Sequence, residues 1–326
     1  MGDLVAEQYP ANLLEVERQF ATEEACRAYL VQLRWPEGFR CPRCRSKHAW
    51  PRKAGGLLEC AECAYKASAT AGTIFDRTRI PLTLWFRAIW RVTNAKNGAS
   101  AISIQRQLGF SRYETVWTML HKLRRAMVRP GRDRLSGTVE VDETYVGGPE
   151  KDVHGRETEK KAIVVIAAEE DGSGIGRIRL QQVDDVSGSS LLPFIETAVE
   201  PGSKVHTDGW QGYNDLKEKG YKHRVTNISR TEKLAHELMP RVHRVASLLK
   251  RWLLGTHQGA VRPPHLAYYL DEFTFRFNRR TSRSRGKLFY RLVQQAAEVA
   301  PVFWRDVANG AREHQRVVRG EPQPSG

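Results

Sequence analysis

Four cysteines constrain this chain more than any other feature. Cys41 and Cys44 stand in CPRC, Cys60 and Cys63 in CAEC, and fifteen residues separate the two pairs. Each pair fits one tight turn, so two turns can set four thiolates at the corners of a tetrahedron, the geometry a structural zinc requires. Unliganded thiols and a redox dithiol are the competing readings. They leave CPRCRSKHAWPRKAGGLLECAECAYKASATAGTIF, a small polar segment, with little core of its own. Residues 38–78 are therefore expected to be a zinc ribbon with Zn²⁺ held by Cys41, Cys44, Cys60 and Cys63. Cys26 falls on the apolar face of a preceding helix, FATEEACRAYLVQLRW, which Thr22 caps, and reads as packing. His48 reads as a surface residue rather than a fifth ligand.

At 326 residues the chain has room for two or three cored units. Its 52 Lys and Arg against 37 Asp and Glu leave a formal charge of +15, which draws polyanions such as nucleic acid. No apolar run approaches the roughly 20 residues of a membrane span, and MGDLVAEQYP is unlike a signal peptide. A cytoplasmic location is expected, and there five cysteines do not make a disulfide framework.

Beyond an N-terminal helical segment (1–37) and the ribbon, residues 79–129 change to helical periodicity: LTLWFRAIWRVTN, ASAISIQRQLG and SRYETVWTMLHKLRRAM. The last two segments, joined at Gly109, Phe110 and Ser111, predict a helix-turn-helix whose final helix enters a major groove. Arg112, Lys122, Arg124 and Arg125 are its candidate DNA contacts. A three-helix packing unit with a solvated charged face is the alternative. RPGRDRLSG reads as a linker, and then the period becomes that of strands: TVEVDETYVGG, KAIVVIAAEE and GRIRLQQV, followed by a helix at SSLLPFIETAVEP and strands at SKVHTDGW and YKHRVT. This predicts a mixed α/β sheet covered by helices, with KDVHGRETEK as a charged, mobile hairpin loop. The QPSG tail is expected to be disordered. GSGIG lacks the Lys-Ser and helix of a phosphate-binding loop.

Two acids stand out in this half. Asp142 lies inside the first strand and Asp208 ends the fourth, and an acid within an apolar strand is costly unless paired or metal-bound. On neighbouring strands the two carboxylates would repel unless cations lay between them. A strand's alternation puts Glu140 on the face of Asp142 and turns Glu143 away. A third ligand is sought on a helix packed against the sheet. With Pro240 in the first turn, RVHRVASLLKRW places His243 and Lys250 on one face beside the stripe Val242, Ala246, Leu249 and Leu253. Glu237 is the rival ligand. The basic stretch FRFNRRTSRSRGKLFYRL, with interleaved aromatics, is suited to holding DNA or a partner subunit, or is a solvated charged face.

Taken together, CPRC and CAEC, VEVDETYVGG, HTDGWQGY, HRVASLLKRWLLGTHQGAV and HLAYYLDEFTFRFNRR resemble the bacterial insertion-sequence transposases of the ISXO2-like type, the IS1595 family, over roughly residues 15–295. The resemblance implies a zinc ribbon, a DNA-binding region and a DDE-type, ribonuclease-H-like core (130–295, followed by a tail, 296–326) with divalent catalytic ions, Mg²⁺ or Mn²⁺. It makes Asp142 and Asp208 the first two catalytic acids, His243 the third ligand where many relatives have Glu or Asn, and Lys250 the family's lysine. Lys250 and Arg251 are then expected at backbone phosphates. The implied partners are double-stranded DNA, as the element's inverted repeats and the target, and further copies of the chain. The implied setting is the bacterial cytoplasm, with the protein nucleoid-associated when bound. The implied reaction is strand cleavage followed by strand transfer. A non-catalytic DNA-binding regulator and a hydrolytic DNA nuclease are the alternatives. The pair Asp142 and Asp208 argues against the first, and flanking inverted repeats would distinguish the second.

Overall fold

A computed structural model describes residues 8–52, 56–129, 131–148, 161–227 and 234–310. The chain forms two compact units, whose described parts are residues 8–129 with 281–309, and residues 131–280 with Gly310. The expected loop at 151–160 and the QPSG tail lie outside the described residues.

In the first unit the N-terminal helical segment is two helices, α1 (Leu13–Gln19) and α2 (Glu23–Arg34), because Thr22 caps the second through the Ala25 N–H. Three short antiparallel strands follow, β1 (Ala49–Pro51), β2 (Leu57–Cys60) and β3 (Lys66–Ser68), with Ala49 opposite Cys60 and Leu57 opposite Ser68. Three helices come next: α3 (Leu82–Asn94), α4 (Ala101–Leu108) and α5 (Tyr113–Ala126). Gly109 ends α4 at φ 71°, a left-handed stop, and the Phe110 N–H returns to the Gln105 carbonyl. The turn into α5 is correspondingly short.

The second unit holds a five-stranded sheet in the order β6-β5-β4-β7-β8. Its strands are β4 (Thr138–Val146), β5 (Ala162–Asp171), β6 (Gly174–Val183), β7 (Lys204–Thr207) and β8 (Lys222–Val225), with helix α6 (Gly188–Ala198) between β6 and β7. β4, β5 and β6 are antiparallel neighbours, whereas β4, β7 and β8 run parallel. Helices α7 (Ala235–Leu238), α8 (Pro240–His257) and α9 (Leu266–Phe277) complete the unit. Strand alternation sorts the side chains into two cores. Val139, Val141, Val165, Ala167 and Val205 meet α6 on one face, while Val164, Ile166 and Ala168 meet Val242, Val245, Leu249 and Leu253 of α8 on the other. A mixed sheet covered by helices on both faces fits a ribonuclease-H-like core, and the five strands fall where the sequence pattern put them.

The chain then returns to the first unit with α10 (Arg285–Glu298) and α11 (Trp304–Asn309). Residues 281–295, expected at the end of the sheet-bearing region, group with this unit instead. Phe289, fully buried, closes an aromatic cluster with Phe20, Phe86 and Trp90, ring centroids 5.6, 5.8 and 5.9 Å away. The stretch from Phe275 to Leu292 is consequently not an aromatic nucleic-acid surface: Phe275, Phe277 and Phe289 are core residues. Arg279 and Arg280 lie over the rings of Phe275 and Phe277, each 4.1 Å from the centroid. No helix among the described residues is long and apolar enough to cross a membrane.

Candidate active site and metal centre

The two CxxC segments fold as matching turns. The Arg45 N–H bonds to the Cys41 carbonyl and the Ala64 N–H to the Cys60 carbonyl, and Arg45 and Ala64 both take left-handed φ, 62° and 54°. The turns bring the four Sγ atoms within 4.8 Å of one another, with Cys41 to Cys63 at 3.6 Å and Cys44 to Cys60 at 3.4 Å. Corners of a tetrahedron around zinc lie about 3.8 Å apart for a Zn–S bond of about 2.3 Å, so the donor set fits that ion. The backbone favours thiolates at Cys41 and Cys60, whereas the neighbouring thiols and burial push Cys44 up to about 12. The N–H groups of Cys63 and Glu62 hold the Cys60 thiol down to about 6, outweighing its burial. Burial raises Cys41, but the N–H groups of Cys44 and Arg43 win and lower it. Cys26 stays apart and is fully buried, and burial pushes its thiol up to about 12, as expected of an inert core residue.

In the second unit the parallel register of β4 and β7 pairs Glu140 with His206. Two residues further on stand Asp142, in the middle of β4, and Asp208, just past the end of β7, the strand beside it. The Asp208 carboxylate accepts the Trp210 N–H at 2.9 Å, which folds DGW into a tight turn. Gly209 has φ 87°, and a Cβ there would meet Val225 Cγ1 at 2.7 Å, so the turn requires glycine.

Across the sheet face lies α8. His243 Nε2 is 3.8 Å from Asp142 Oδ2, and this buried nitrogen has no hydrogen-bond partner. Burial, helped by His236 and Lys250 and opposed by Glu140 and Asp208, lowers the His243 pKa, which favours the neutral imidazole, the form that can ligate. Carboxylate oxygens and an imidazole nitrogen are donors of the kinds that divalent cations take. Their ligand atoms are more loosely gathered than the cysteines. Among the described residues only the cysteine quartet brings three or more such groups within 4.8 Å of one another.

Lys250 extends the row of His243 and is exposed, with its ammonium pKa lowered by burial of the stem and by nearby Lys161. Arg251 is exposed as well. Glu237, the rival ligand, is exposed and spends a carboxylate oxygen on the Leu234 N–H at 3.0 Å, capping α7.

Sequence reasoning missed the partners behind these side chains. Tyr213, fully buried, donates its hydroxyl to Glu143 at 3.0 Å on the face opposite Asp142. Its phenol is pushed well above the ordinary range by burial and by Glu143, Asp142 and Asp208. Glu140, 2% exposed, bonds to Arg241 and to the backbone of α8. The only sequence signal for either was an acid or a tyrosine in an apolar setting.

On α5 the structure separates the expected DNA contacts. Arg112 is exposed at the head of the helix. Lys122 is half-buried, and burial lowers its pKa despite Asp76 and Asp306. Arg124 and Arg125 are 2% and 3% exposed, which corrects their reading as phosphate contacts. The last turn of α5 is internal on both sides, and the Arg124 guanidinium lies 3.3 Å from His121 Nδ1.

A ribbon with a zinc donor set and a mixed sheet covered by helices fit one class, the DNA-processing enzymes of transposable elements, to which two family matches point. Residues 21–66 match the transposase zinc-ribbon domain, and residues 134–278 match the ISXO2-like transposase domain. The two segments cover more than half of the chain, which belongs to the ISXO2-like transposases of the IS1595 family. It is similar to an uncharacterized protein in transposable element ISH50 of Halobacterium salinarum, 26% identical over 302 residues, covering 86% of this chain and 98% of that protein.

Proposed function

We propose that this transposase cuts DNA at the ends of its element and joins those ends to target DNA at a two-metal site formed by the middle of β4, the end of β7 and α8. One observation carries the reading: the unsatisfied Nε2 of His243 on α8 faces Asp142 at 3.8 Å, on the strand that pairs with the one Asp208 follows. Asp142, Asp208 and His243 would hold the ions. Bound there, divalent cations make water or a 3′-hydroxyl a stronger nucleophile and stabilise the departing 3′-oxygen.

The chain's own residues do the rest. Tyr213 donates a hydrogen bond to Glu143 behind the site and so stabilises that carboxylate beside the other acids of β4. Lys250 and Arg251 bind backbone phosphates on either side of the scissile bond. In the first unit, α4, its turn and α5 form the helix-turn-helix that reads DNA, with Arg112 at the base-proximal end. Residues 38–78 make the ribbon, 79–129 the reader and the unit around β4–β8 the catalytic domain. Because two element ends must meet, the chain acts as a homo-oligomer on DNA, in the cytoplasm of its host.

The test is cleavage and binding of an end-containing duplex with Mn²⁺ or Mg²⁺. Asp142→Ala and Asp208→Ala are expected to bind the duplex within about threefold of the parent while losing strand cleavage. Cleavage by either variant at the parental rate would sink the two-metal assignment.

A further inference from the structure

Helix α8 has no cap of its own. Met239 precedes it with a side chain that accepts nothing, and Pro240 at its first position has no N–H. The next two N–H groups, of Arg241 and Val242, both point to one oxygen of Glu140, Oε2, at 2.8 and 3.0 Å. The other oxygen, Oε1, accepts the Arg241 guanidinium at 2.9 Å. Glu140 belongs to β4, a hundred residues earlier in the chain.

Arg241 continues the attachment outward. Its Nε donates to the Gly174 carbonyl at 3.0 Å, and its Nη2 to Glu170 Oε1 at 2.8 Å and the Gly172 carbonyl at 2.9 Å. The first turn of α8 is thereby fastened to β4 and to both arms of the β5–β6 hairpin. Two N–H groups on a single oxygen limit sliding along the helix axis and rotation about it together. One residue of slide is about 1.5 Å and one of phase about 100°. Two residues after Glu140 on the same strand face is Asp142, and one residue after Val242 is His243. The clamp and the facing pair are thus adjacent on both elements.

We infer that Glu140 is a positioning residue: a buried carboxylate that caps α8 from the sheet and, with Arg241, sets the phase at which His243 faces Asp142. Its role in catalysis rests on the function proposed above, whereas its effect on the His243 position does not. A negative group at a helix N-terminus would stabilise α8 wherever it came from. Glu140 differs in that it belongs to the strand that carries Asp142, so removing it frees one side of the site from the other.

The experiment compares Glu140→Ala, Glu140→Gln and Phe194→Leu in the full chain. Phe194 is buried in the core on the α6 face, away from α8, and serves as a control for lost stability alone. Two-dimensional NMR of ¹⁵N-histidine-labelled protein reads the imidazoles without any need for activity. In Glu140→Ala the His243 signals should shift or broaden while those of His223 stay in place, and Phe194→Leu should leave His243 unmoved. Glu140→Gln keeps an oxygen for the two N–H groups and should fall between. In cleavage assays below every variant's melting temperature, Glu140→Ala should lose at least tenfold in kcat with KM for end DNA within about twofold. Phe194→Leu should keep the parental kcat. An unmoved His243 in Glu140→Ala overturns the inference, as does an equal loss of kcat in Glu140→Ala and Phe194→Leu. Should Asp142→Ala cleave normally, the function fails, and the histidine spectrum still decides whether Glu140 positions α8.

Discussion

His243 Nε2 faces Asp142 Oδ2 at 3.8 Å, beyond hydrogen-bond reach and within the span of two ligands that each lie about 2.1 Å from one ion. Imidazole nitrogen suits Mn²⁺ better than Mg²⁺, which prefers oxygen. The parent protein should therefore cleave end DNA faster with Mn²⁺. His243→Glu should narrow that preference, His243→Ala should cut poorly with either ion, and Glu237→Gln should behave as the parent. Rates for all four proteins with both metals at one pH check this, and full activity of His243→Ala would remove the histidine from the site.

The zinc ribbon carries a correctable strain. Ala64 sits at φ 54°, a region that costs a residue with a Cβ about 1 kcal/mol. Nothing in the hydrogen-bond pattern needs the alanine side chain, so Ala64→Gly should slow zinc loss to a chelator several-fold. Cys60→Ser should lower zinc content from about one per chain. Elemental analysis and a chelator time course provide the measurements, and equal zinc in Cys60→Ser and parent would refute the ligand set.

Exposure divides the basic residues of α5 by role. Arg112→Ala should weaken DNA binding and reduce the slope of log K against log salt by about one. Arg124→Ala should instead cost stability, on the order of 1–3 kcal/mol, through a buried hydrogen-bonding group removed beside His121. Salt-dependent binding and thermal melting of the two variants should give opposite patterns.

Acid sensitivity should centre on Glu169. Arg177 grips both its oxygens, Nη2 on Oε1 at 2.8 Å and Nε on Oε2 at 3.0 Å, and the Ser136 N–H adds a bond at 3.0 Å. These contacts outweigh its burial and hold the carboxyl at about 2, against an ordinary value of 4.5. The folded protein gives up this proton at lower pH than the unfolded chain does. The pairing therefore stabilises fully above about pH 4.5, and its contribution is lost as pH falls toward 2. Arg177 is 37% exposed, so screening limits the contribution to about 1 kcal/mol. Glu169→Gln should be less stable than the parent in urea at pH 7 and nearly equal to it close to pH 2. A constant gap across that range would contradict the assignment.

Local chemistry was what the sequence made readable. CPRC and CAEC state a ligand set because four thiolates need only two turns. KAIVVIAAEE states a buried strand because its apolar run is continuous. The alternation of β4 was enough to place Glu140 with Asp142 and to turn Glu143 away. What stayed hidden depends on partners far along the chain. The Arg124 and Arg125 guanidiniums look like a basic surface until the helix face beneath them is known to be interior. Phe289 reads as part of a basic aromatic run, although its ring packs on Phe20, more than 260 residues away. Glu140 gives no local sign that it caps a helix starting at Pro240.

The return of the chain through α10 makes the first unit discontinuous, and this bears on its synthesis. Phe20, Phe86 and Trp90 leave the ribosome long before Phe289, with some 150 residues of the second unit made in between. At about 5–20 residues per second, that is roughly ten to thirty seconds in which an aromatic surface waits for its last side chain. Messages cut short within the second unit would yield chains permanently lacking it, marked for chaperones and proteases. Only chains translated past α10 would escape that fate, so the fold makes the stability of the N-terminal unit depend on completion of the protein.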